Sequence, residues 1–296
     1  MTQALQELDQ ELQAQGYIAD RSILMSVFLC RQLQRPLLVE GPPGVGKTEI
    51  AKVLAKAQGT ELIRLQCYEG LSADQAIYEW NYQRQLLSLK MMETEQRSMM
   101  EKEEHIFSKA FLLERPLLRA ITCKKAPVLL IDEVDRADEE FESFLLELLS
   151  DWQISVPELG VIQAEHIPTV IITSNRMRNL SDALRRRCFY QWIDYPEFEK
   201  EWRIVRKKAP QIDEKLGRQI CHFMQEVRQM KLNKIPGIAE TLDWTQALAA
   251  LHIDHLEKEL VEETLGIVLK DWQDVRQTQM SLSELMERVG AKAKMI

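Results

Sequence analysis

Residues 36–48 read PLLVEGPPGVGKT: a short apolar run, a glycine-rich loop and the start of a stretch with helical pattern. The loop, Gly41-Pro42-Pro43-Gly44-Val45-Gly46-Lys47-Thr48, fits the pattern GxxxxGK[ST], in which glycines let backbone N–H groups turn inward around phosphates. The lysine of this pattern reaches the β- and γ-phosphates, and the hydroxyl after it ligates Mg²⁺. A glycine-rich turn can match by chance, but this one lies between a predicted strand and a predicted helix. We therefore predict a nucleoside triphosphate site.

Two carboxylates follow a second apolar run, VLLIDE at residues 128–133. A strand that ends in two acids can place the first, Asp132, beside Mg²⁺. It then leaves the second, Glu133, to act as general base toward a water molecule. Taken alone, such an ending is also compatible with a helix N-cap. Downstream of a phosphate loop, it predicts nucleotide hydrolysis.

Polar residues after later segments complete the candidate site. Asn175 follows the apolar run Thr169–Thr173, where its amide can hold the attacking water or serve as an ordinary turn residue. Arg185-Arg186-Arg187 are consecutive, and such a run is either a solvated face or the source of an arginine finger. A finger would act on the γ-phosphate bound by a neighbouring subunit. Both alternatives stay open at this point.

The order of apolar runs predicts the fold class. Strands are predicted at residues 36–40, 61–65, 127–131, 169–173 and 190–193, with a hairpin at 155–162; residues 72–120 are mostly helical in pattern. Strands that alternate with helices indicate an α/β fold with a parallel sheet flanked by helices. After Pro196 only helices are predicted, at residues 198–208, 213–232, 241–255 and 260–275. We expect a nucleotide-binding core over residues 1–195 and a smaller all-helical domain over residues 196–296.

Composition limits the cellular context. The 296 residues include 38 Lys and Arg against 46 Asp and Glu, and a net charge of −8 gives no general electrostatic footprint for nucleic acid. The N-terminal sequence has no secretory signal, and its longest apolar stretch falls far short of the ~20 residues of a membrane span. Five scattered cysteines without a CxxC pair are typical of reduced thiols. We expect a cytoplasmic protein that binds no nucleic acid and has no transmembrane segment.

Together the motifs resemble the AAA+ ATPases, and within them the MoxR family. The resembling stretches are GPPGVGKTE at residues 41–49, LLIDEVDRADEEF at 129–141, ISVPELG at 154–160 and TSNR at 173–176. Three further stretches look most like the CoxD branch: RLQCYEG at 64–70, YEWNYQRQLL at 78–87 and LSDALRRRCFYQWIDYP at 180–196. That branch is associated with maturation of carbon monoxide dehydrogenase. The resemblance implies a P-loop AAA+ core with a parallel sheet, a helical lid and a homo-hexameric ring.

The resemblance also implies a role for each matching position. Nucleotide binding is assigned to Gly41, Pro42, Pro43, Gly44, Val45, Gly46, Lys47, Thr48 and Glu49, and Mg²⁺ binding to Thr48 and Asp132. Catalysis is assigned to Glu133, to Asn175 as sensor 1 and to Arg187 as the finger. Many relatives carry a sensor 2 arginine at the start of a lid helix, whereas this chain has Glu240-Thr241-Leu242-Asp243-Trp244 there. The positions of this chain that match sensor 2 therefore contain no arginine.

We expect a Mg²⁺-dependent ATPase that remodels another protein, with ATP and Mg²⁺ as cofactors. The resemblance implies an adaptor with a von Willebrand factor A domain and a metalloenzyme client. Two alternatives are an interaction switch that recruits a partner without remodelling it and a DNA-handling AAA+ protein, which the negative charge disfavours. Candidate partner segments are Tyr78–Leu87, with the polar stretch Glu93–Glu104 after it, and Ser155–Ile162. Trp80 or Tyr82, if exposed, would be natural anchor residues, and the alternative is that these aromatic side chains pack in the core.

Overall fold

A computed structural model describes residues 3–94 and 98–293, so residues 95–97 of the polar stretch Glu93–Glu104 lie outside the described chain. The strands are β1 (Leu37–Glu40), β2 (Leu62–Gln66), β3 (Tyr78–Trp80), β4 (Leu112–Glu114), β5 (Val128–Asp132), β6 (Gln153–Val156), β7 (Gly160–Gln163), β8 (Thr169–Ser174) and β9 (Phe189–Trp192). The helices are α1 (Gln3–Ala14), α2 (Arg21–Leu33), α3 (Lys47–Gln58), α4 (Ala73–Ile77), α5 (Tyr82–Met91), α6 (Met99–Ile106), α7 (Pro116–Thr122), α8 (Glu139–Asp151), α9 (Asp182–Arg187), α10 (Phe198–Lys208), α11 (Glu214–Arg228), α12 (Ile238–Ala250), α13 (Lys258–Val268) and α14 (Trp272–Ala293). Among these helices, none combines the length and hydropathy needed to span a membrane.

Five strands form one parallel sheet in the order β2-β5-β8-β1-β9. Every residue of β1 and of β5 is buried, as expected for parallel strands covered on both faces. The carboxyl ends of parallel strands meet at one edge of a sheet, so β1, β5 and β8 end together at Glu40, Asp132 and Ser174. The predicted parallel sheet flanked by helices, followed by a helical C-terminal region, is confirmed.

Helix α8 illustrates how local sequence builds this sheet's cover. The Asp138 carboxylate accepts the N–H of Phe141 at 2.9 Å, which caps the first turn. Phe141, Leu145 and Leu148 recur at helical spacing and are buried, and they belong to the same apolar cluster as Leu129 of β5. The apolar face of α8 is therefore buried in the core that supports β5.

The prediction that residues 72–120 are mostly helical omitted a small antiparallel sheet. Strand β3 pairs with β4, with Trp80 opposite Leu112. Each strand has only three residues, which is too short for a period of two to be distinguished from a helical pattern. The pairing depends on residues distant in sequence, and local pattern does not reveal it.

The helix predicted over residues 260–275 is in fact two helices. Helix α13 ends at Val268 and α14 begins at Trp272. Between them, the Asp271 carboxylate accepts the N–H groups of Gln273 at 2.9 Å and Asp274 at 3.3 Å. This is an N-cap within an otherwise helical pattern, and the prediction missed it because the apolar spacing continues across the break.

The chain divides into two compact units that differ from a simple split along the sequence. One contains the N-terminal residues through Leu8, Arg21–Glu40 and Ile50–Trp192, and with them the parallel sheet. The other contains Asp9–Asp20, Gly41–Glu49 and the chain from Ile193 onward. The predicted phosphate loop therefore groups with the C-terminal helices. The functional division between residues 195 and 196 stays a prediction.

Candidate functional site

The predicted phosphate loop connects β1 to α3. Lys47 is the first residue of α3, and its Nζ donates to the carbonyl oxygens of Gly41 at 2.8 Å and Pro42 at 2.6 Å. A Cβ atom on Gly41 would lie 2.0 Å from the carbonyl oxygen of Ile193, so a side chain there would displace the backbone. At Gly46 a Cβ would meet nothing within 4 Å. Backbone and lysine donors beside open space fit an anionic phosphate group.

The other loop residues differ in exposure. Val45 is buried, Pro42, Gly44 and Thr48 are half-buried, and Pro43 is exposed. Glu49, which the resemblance assigned to the nucleotide, forms an ion pair with Lys208 of α10 at 3.1 Å. The carboxylate of Glu49 is thus partly neutralised within its own unit, in the first turn of α3, where negative charge is favourable.

Asp132 is a buried carboxylate at the end of β5. The Thr173 hydroxyl donates to its Oδ1 at 2.6 Å, and Nε and Nη2 of Arg64 donate to its Oδ2 at 3.1 and 2.5 Å. The charge of Asp132 is therefore paired, as a buried charge requires. A carboxylate and a threonine hydroxyl are hard oxygen donors, so Asp132 and Thr48 fit Mg²⁺ by their chemistry.

Glu133 has an unusual backbone. Its φ of 55° and ψ of 49° place it in the left-handed region, which costs a non-glycine residue of order 1–3 kcal/mol. Its N–H donates to the Thr173 hydroxyl at 2.9 Å, so the same hydroxyl orders Asp132 and Glu133. Such strain persists where the surroundings hold it, and it is frequent at functional sites.

The Glu133 carboxylate is held at both oxygens. Nδ2 of Asn175 donates to Oε1 at 3.3 Å, and Nε2 of Gln66 donates to Oε2 at 3.1 Å. Arg136 forms an ion pair with Oε2 at 3.0 Å. The structure therefore brings the Asn175 amide into contact with the Glu133 carboxylate. In the hypothesis drawn from the sequence, both side chains act on the same water molecule.

Sequence reasoning missed the residues that support these acids. Arg64 and Gln66 alternate on β2 with buried Ile63 and Leu65, and this polar period within an apolar strand is a usable signal. The carboxylate of Asp135, which is also buried, accepts the N–H groups of Asn175 at 3.1 Å and Met177 at 2.8 Å. Asp135 thus fixes the backbone that carries the Asn175 amide.

The three arginines of α9 have different surroundings. Arg185 is bonded to the buried Glu40 at 2.8 Å. Arg187, the residue assigned as finger, is half-buried and donates through Nε to Ser150 Oγ at 2.6 Å. Arg186 is exposed. Glu40, the last residue of β1, was not singled out from the sequence, although a carboxylate that ends an apolar strand is conspicuous.

Glu40 also accepts a hydrogen bond from the Tyr190 hydroxyl at 3.1 Å, and Arg176 lies 3.8 Å from the same carboxylate. Burial and the negative charge of Glu40 both raise the pKa of Tyr190 above its usual value. At the carboxyl end of the sheet, Glu40 therefore contacts the segment after Asn175, the first arginine of the run and strand β9. Arg185 is committed to this internal pairing.

The structure decides between the two readings of the candidate anchor residues. Trp80, offered as an exposed anchor, is buried and packs edge-to-face on Phe107 with ring centroids 5.3 Å apart. It is a core residue of the β3–β4 segment, whereas Tyr82 is 63% exposed. Asp243, near the position expected for sensor 2, is exposed on α12, and the Glu240 carboxylate accepts the N–H of Gly237 at 2.8 Å.

This chain is similar to uncharacterized bacterial proteins and to a solved structure. An uncharacterized protein of Staphylococcus haemolyticus is 23% identical over 259 residues, 83% of this chain and 90% of that protein. One of Staphylococcus aureus is 26% identical over 205 residues, 67% of this chain and 70% of that protein. A RuvB mutant of Thermotoga maritima is similar to 89% of this chain and 70% of its own, with 16% identity and a TM-score of 0.49.

The family model described as AAA domain (dynein-related subfamily) matches residues 36–188. This match spans just over half of the chain and runs from the start of β1 through the arginine run. It includes the loop, Asp132, Glu133 and Asn175. The chain belongs to the AAA domain family, in the dynein-related subfamily.

Proposed function

We propose that this protein is a Mg²⁺-dependent ATPase that hydrolyses ATP to ADP and phosphate. The observation that carries the proposal is the contact between the Glu133 carboxylate and the Asn175 amide, beside the buried Asp132. The match to the AAA domain family and the phosphate-loop sequence support the same activity. A carboxylate held at both oxygens beside a second acid is suited to general-base catalysis of hydrolysis.

In the proposed reaction, this chain's residues bind phosphate and handle one proton. The loop from Gly41 to Thr48 binds the phosphates through backbone N–H groups and Lys47. Glu133 accepts a proton from the attacking water, and the Asn175 amide orients that water. Because Gln66 and Asn175 already hold the carboxylate, little reorganisation is needed before the proton moves.

Thr48 and Asp132 are the proposed Mg²⁺ ligands. When bound there, the ion neutralises phosphate charge. The Thr173 hydroxyl orders one carboxylate oxygen of Asp132, which would hold the ion, while Arg64 compensates the carboxylate charge on the other oxygen. Arg64 therefore limits the cost of burying Asp132 in the absence of the ion.

The finer assignment rests on the sequence resemblance. We propose a MoxR-type remodelling ATPase of the CoxD branch, which acts as a cytoplasmic homo-hexamer with a von Willebrand factor A domain adaptor on a metalloenzyme client. The exposed apolar side chains of α5 support a partner-binding role, since Tyr82, Leu86 and Leu87 are each at least 60% exposed. The client's identity is a question for affinity capture.

Replacement of Glu133 by glutamine tests the activity. Glu133→Gln should retain ATP binding and lose turnover by a factor on the order of 10²–10⁴, because the amide cannot accept the proton. Phosphate release and binding of a fluorescent ATP analogue are the measurements. Glu140→Gln is the matched control, since Glu140 is an exposed residue in the first turn of α8.

A Lys47→Ala variant completes the test, because loss of the lysine charge should abolish tight ATP binding. Wild-type turnover in Glu133→Gln would show that this carboxylate is not the base. Tight ATP binding without measurable hydrolysis in the wild-type protein would favour the interaction switch over the ATPase.

A further inference from the structure

The phosphate loop and the start of α12 meet through two glycines. A Cβ atom on Gly237 would lie 2.7 Å from both the carbonyl carbon and oxygen of Gly44, closer than side chains can approach a backbone. A Cβ on Gly44 would be 3.2 Å from the Gly237 Cα, and the φ of 76° at Gly44 disfavours any side chain. The two backbones are therefore in direct contact, and glycine is required on both sides.

A hydrogen bond crosses this contact. The N–H of Ala239 donates to the carbonyl oxygen of Gly44 at 3.2 Å. Ala239 is the second residue of α12, so its N–H is one of the first-turn donors that have no partner within the helix. The bond thus satisfies a helix donor and fixes the direction of one loop carbonyl.

That carbonyl direction determines the direction of a neighbouring N–H. In a planar trans peptide, the C=O of one residue and the N–H of the next point in opposite directions. The described chain contains no cis peptide bond. With the Gly44 carbonyl held against α12, the N–H of Val45 must point away from α12. Backbone N–H groups are the groups by which such a loop binds phosphate.

We propose that Gly237 and Ala239 are positioning residues for the phosphate loop, which dock α12 on Gly44 and thereby pre-orient the Val45 N–H for phosphate. This proposal rests on the proposed nucleotide binding. It also assigns a role to the helix start that lacks the expected sensor 2 arginine: the helix contributes a backbone contact to the loop instead of a side-chain charge.

A buried polar network holds the turn before α12 in place. Arg228 donates to the carbonyl oxygens of Pro236 at 2.8 Å and Gly237 at 3.3 Å. The same guanidinium is paired at 2.7 Å with Glu201, which is fully buried, and Thr241 donates to Glu201 at 2.6 Å. Each partner has several bonds, so the turn that presents Gly237 is held by side chains outside the phosphate loop.

The first test compares two glycine substitutions. Gly237→Ala introduces a methyl group into the contact, whereas Gly266→Ala in α13 adds one where nothing lies within 4 Å. ATP and inorganic tripolyphosphate are the probes, the second because it reports on the phosphate loop alone. We expect Gly237→Ala to weaken the binding of both probes by about 10-fold or more, as loss of a hydrogen bond to a charged group does. Gly266→Ala should bind both as the wild type does.

The second test removes only the donor. Ala239→Pro deletes the N–H that bonds to Gly44 at a first-turn position, where proline is tolerated. Glu259→Pro, at the equivalent position of α13, is its control. We expect Ala239→Pro, but not Glu259→Pro, to weaken the binding of both probes. The near-ultraviolet circular dichroism of Ala239→Pro should match that of the wild type. If Gly237→Ala does not fold, Ala239→Pro decides the outcome.

The measured affinities distinguish failure of the positioning role from failure of the proposed function. If the wild-type protein binds both probes, and folded Gly237→Ala or Ala239→Pro binds them with the same affinity, the positioning role is overturned and the proposed function stays intact. Equal loss in the variants and in their controls would also overturn it, because the effect would then be general destabilisation. If the wild-type protein binds neither ATP nor tripolyphosphate, as expected for the Lys47→Ala variant, the proposed function and the positioning role are overturned together.

Discussion

Glu133 shows how much of a site is decided by single residues and their neighbours. The residue type and its place after an apolar strand were visible in the sequence. Its backbone is left-handed. Its carboxylate accepts hydrogen bonds from Gln66 on β2 and from Asn175 after β8. A carboxylate in this setting is held by partners that are more than 40 residues away.

The cysteines give a second prediction at this scale. Burial raises the pKa of Cys30 and of Cys188 to about 12, and burial together with Asp132 and Asp135 raises that of Cys67 to about 12. Cys221 is buried too, whereas Cys123 is half-buried. We expect one fast-reacting thiol, Cys123, with Ellman's reagent at pH 8, and five in denaturant.

The raised pKa values of these thiols also make the stability of the protein depend on pH. In the unfolded chain a thiol has a pKa near 9, whereas in the folded chain the thiols of Cys30, Cys67 and Cys188 have a pKa of about 12. Their contribution to stability is therefore complete below pH 9 and is lost as the pH rises toward 12. Fast labelling of more than one cysteine in the native protein, with Cys123→Ala as control, would contradict the assigned burial.

Short elements inserted between the main strands distinguish this core. The hairpin β6–β7 joins Val156 to Gly160 by a tight turn, in which Leu159 N–H donates to the Val156 carbonyl at 3.1 Å. Val161 is 60% exposed on this hairpin. Exposed apolar side chains on small insertions are suited to contact a partner, because they can change without disturbing the sheet.

Deletion of Glu158–Gly160 tests this role. The deletion removes the hairpin turn and leaves the phosphate loop, Asp132 and Glu133 in place, so ATP affinity should stay at the wild-type value. Under the proposed function, remodelling of the proposed client, or ATP-dependent binding of the proposed von Willebrand factor A adaptor, should fall. An adaptor that binds ATP and ADP forms equally well would argue against the coupling, because a ligand that does not discriminate between states cannot be driven by their interconversion.

At the scale of the whole molecule, the arginine run raises the question of assembly. Arg185 is paired internally with Glu40, and Arg187 is bonded to Ser150, which leaves Arg186 as the exposed member. If one of them completes the site of a neighbouring subunit, an isolated subunit lacks a complete site. Specific activity should then rise with protein concentration.

Mixed oligomers identify the arginine. Arg186→Ala and Arg187→Ala are each mixed with Lys47→Ala, and the finger variant alone should turn over more slowly by a factor on the order of 10³. Its mixture should recover activity at interfaces that join an intact lysine to an intact arginine. A confirmed mixed oligomer without recovery would exclude that arginine as a finger in trans.

The sequence by itself determined the fold class and the residue types of the candidate site. Apolar runs that alternate with helical pattern predicted the parallel sheet, and polar residues at the ends of those runs marked Asp132, Glu133 and Asn175. These features are local, since side-chain periodicity and strand-end position follow from the chain within a few residues. The loop sequence predicted phosphate binding for the same reason.

Only the tertiary structure decided which partners hold those residues. Arg64 on Asp132, Glu40 on Arg185 and Gly237 on Gly44 are contacts between residues far apart in sequence. The short β3–β4 pairing was missed, and the choice between an exposed and a buried Trp80 was left open, for related reasons. In each case the decisive free energy comes from packing or pairing with another segment, which a single sequence window does not contain.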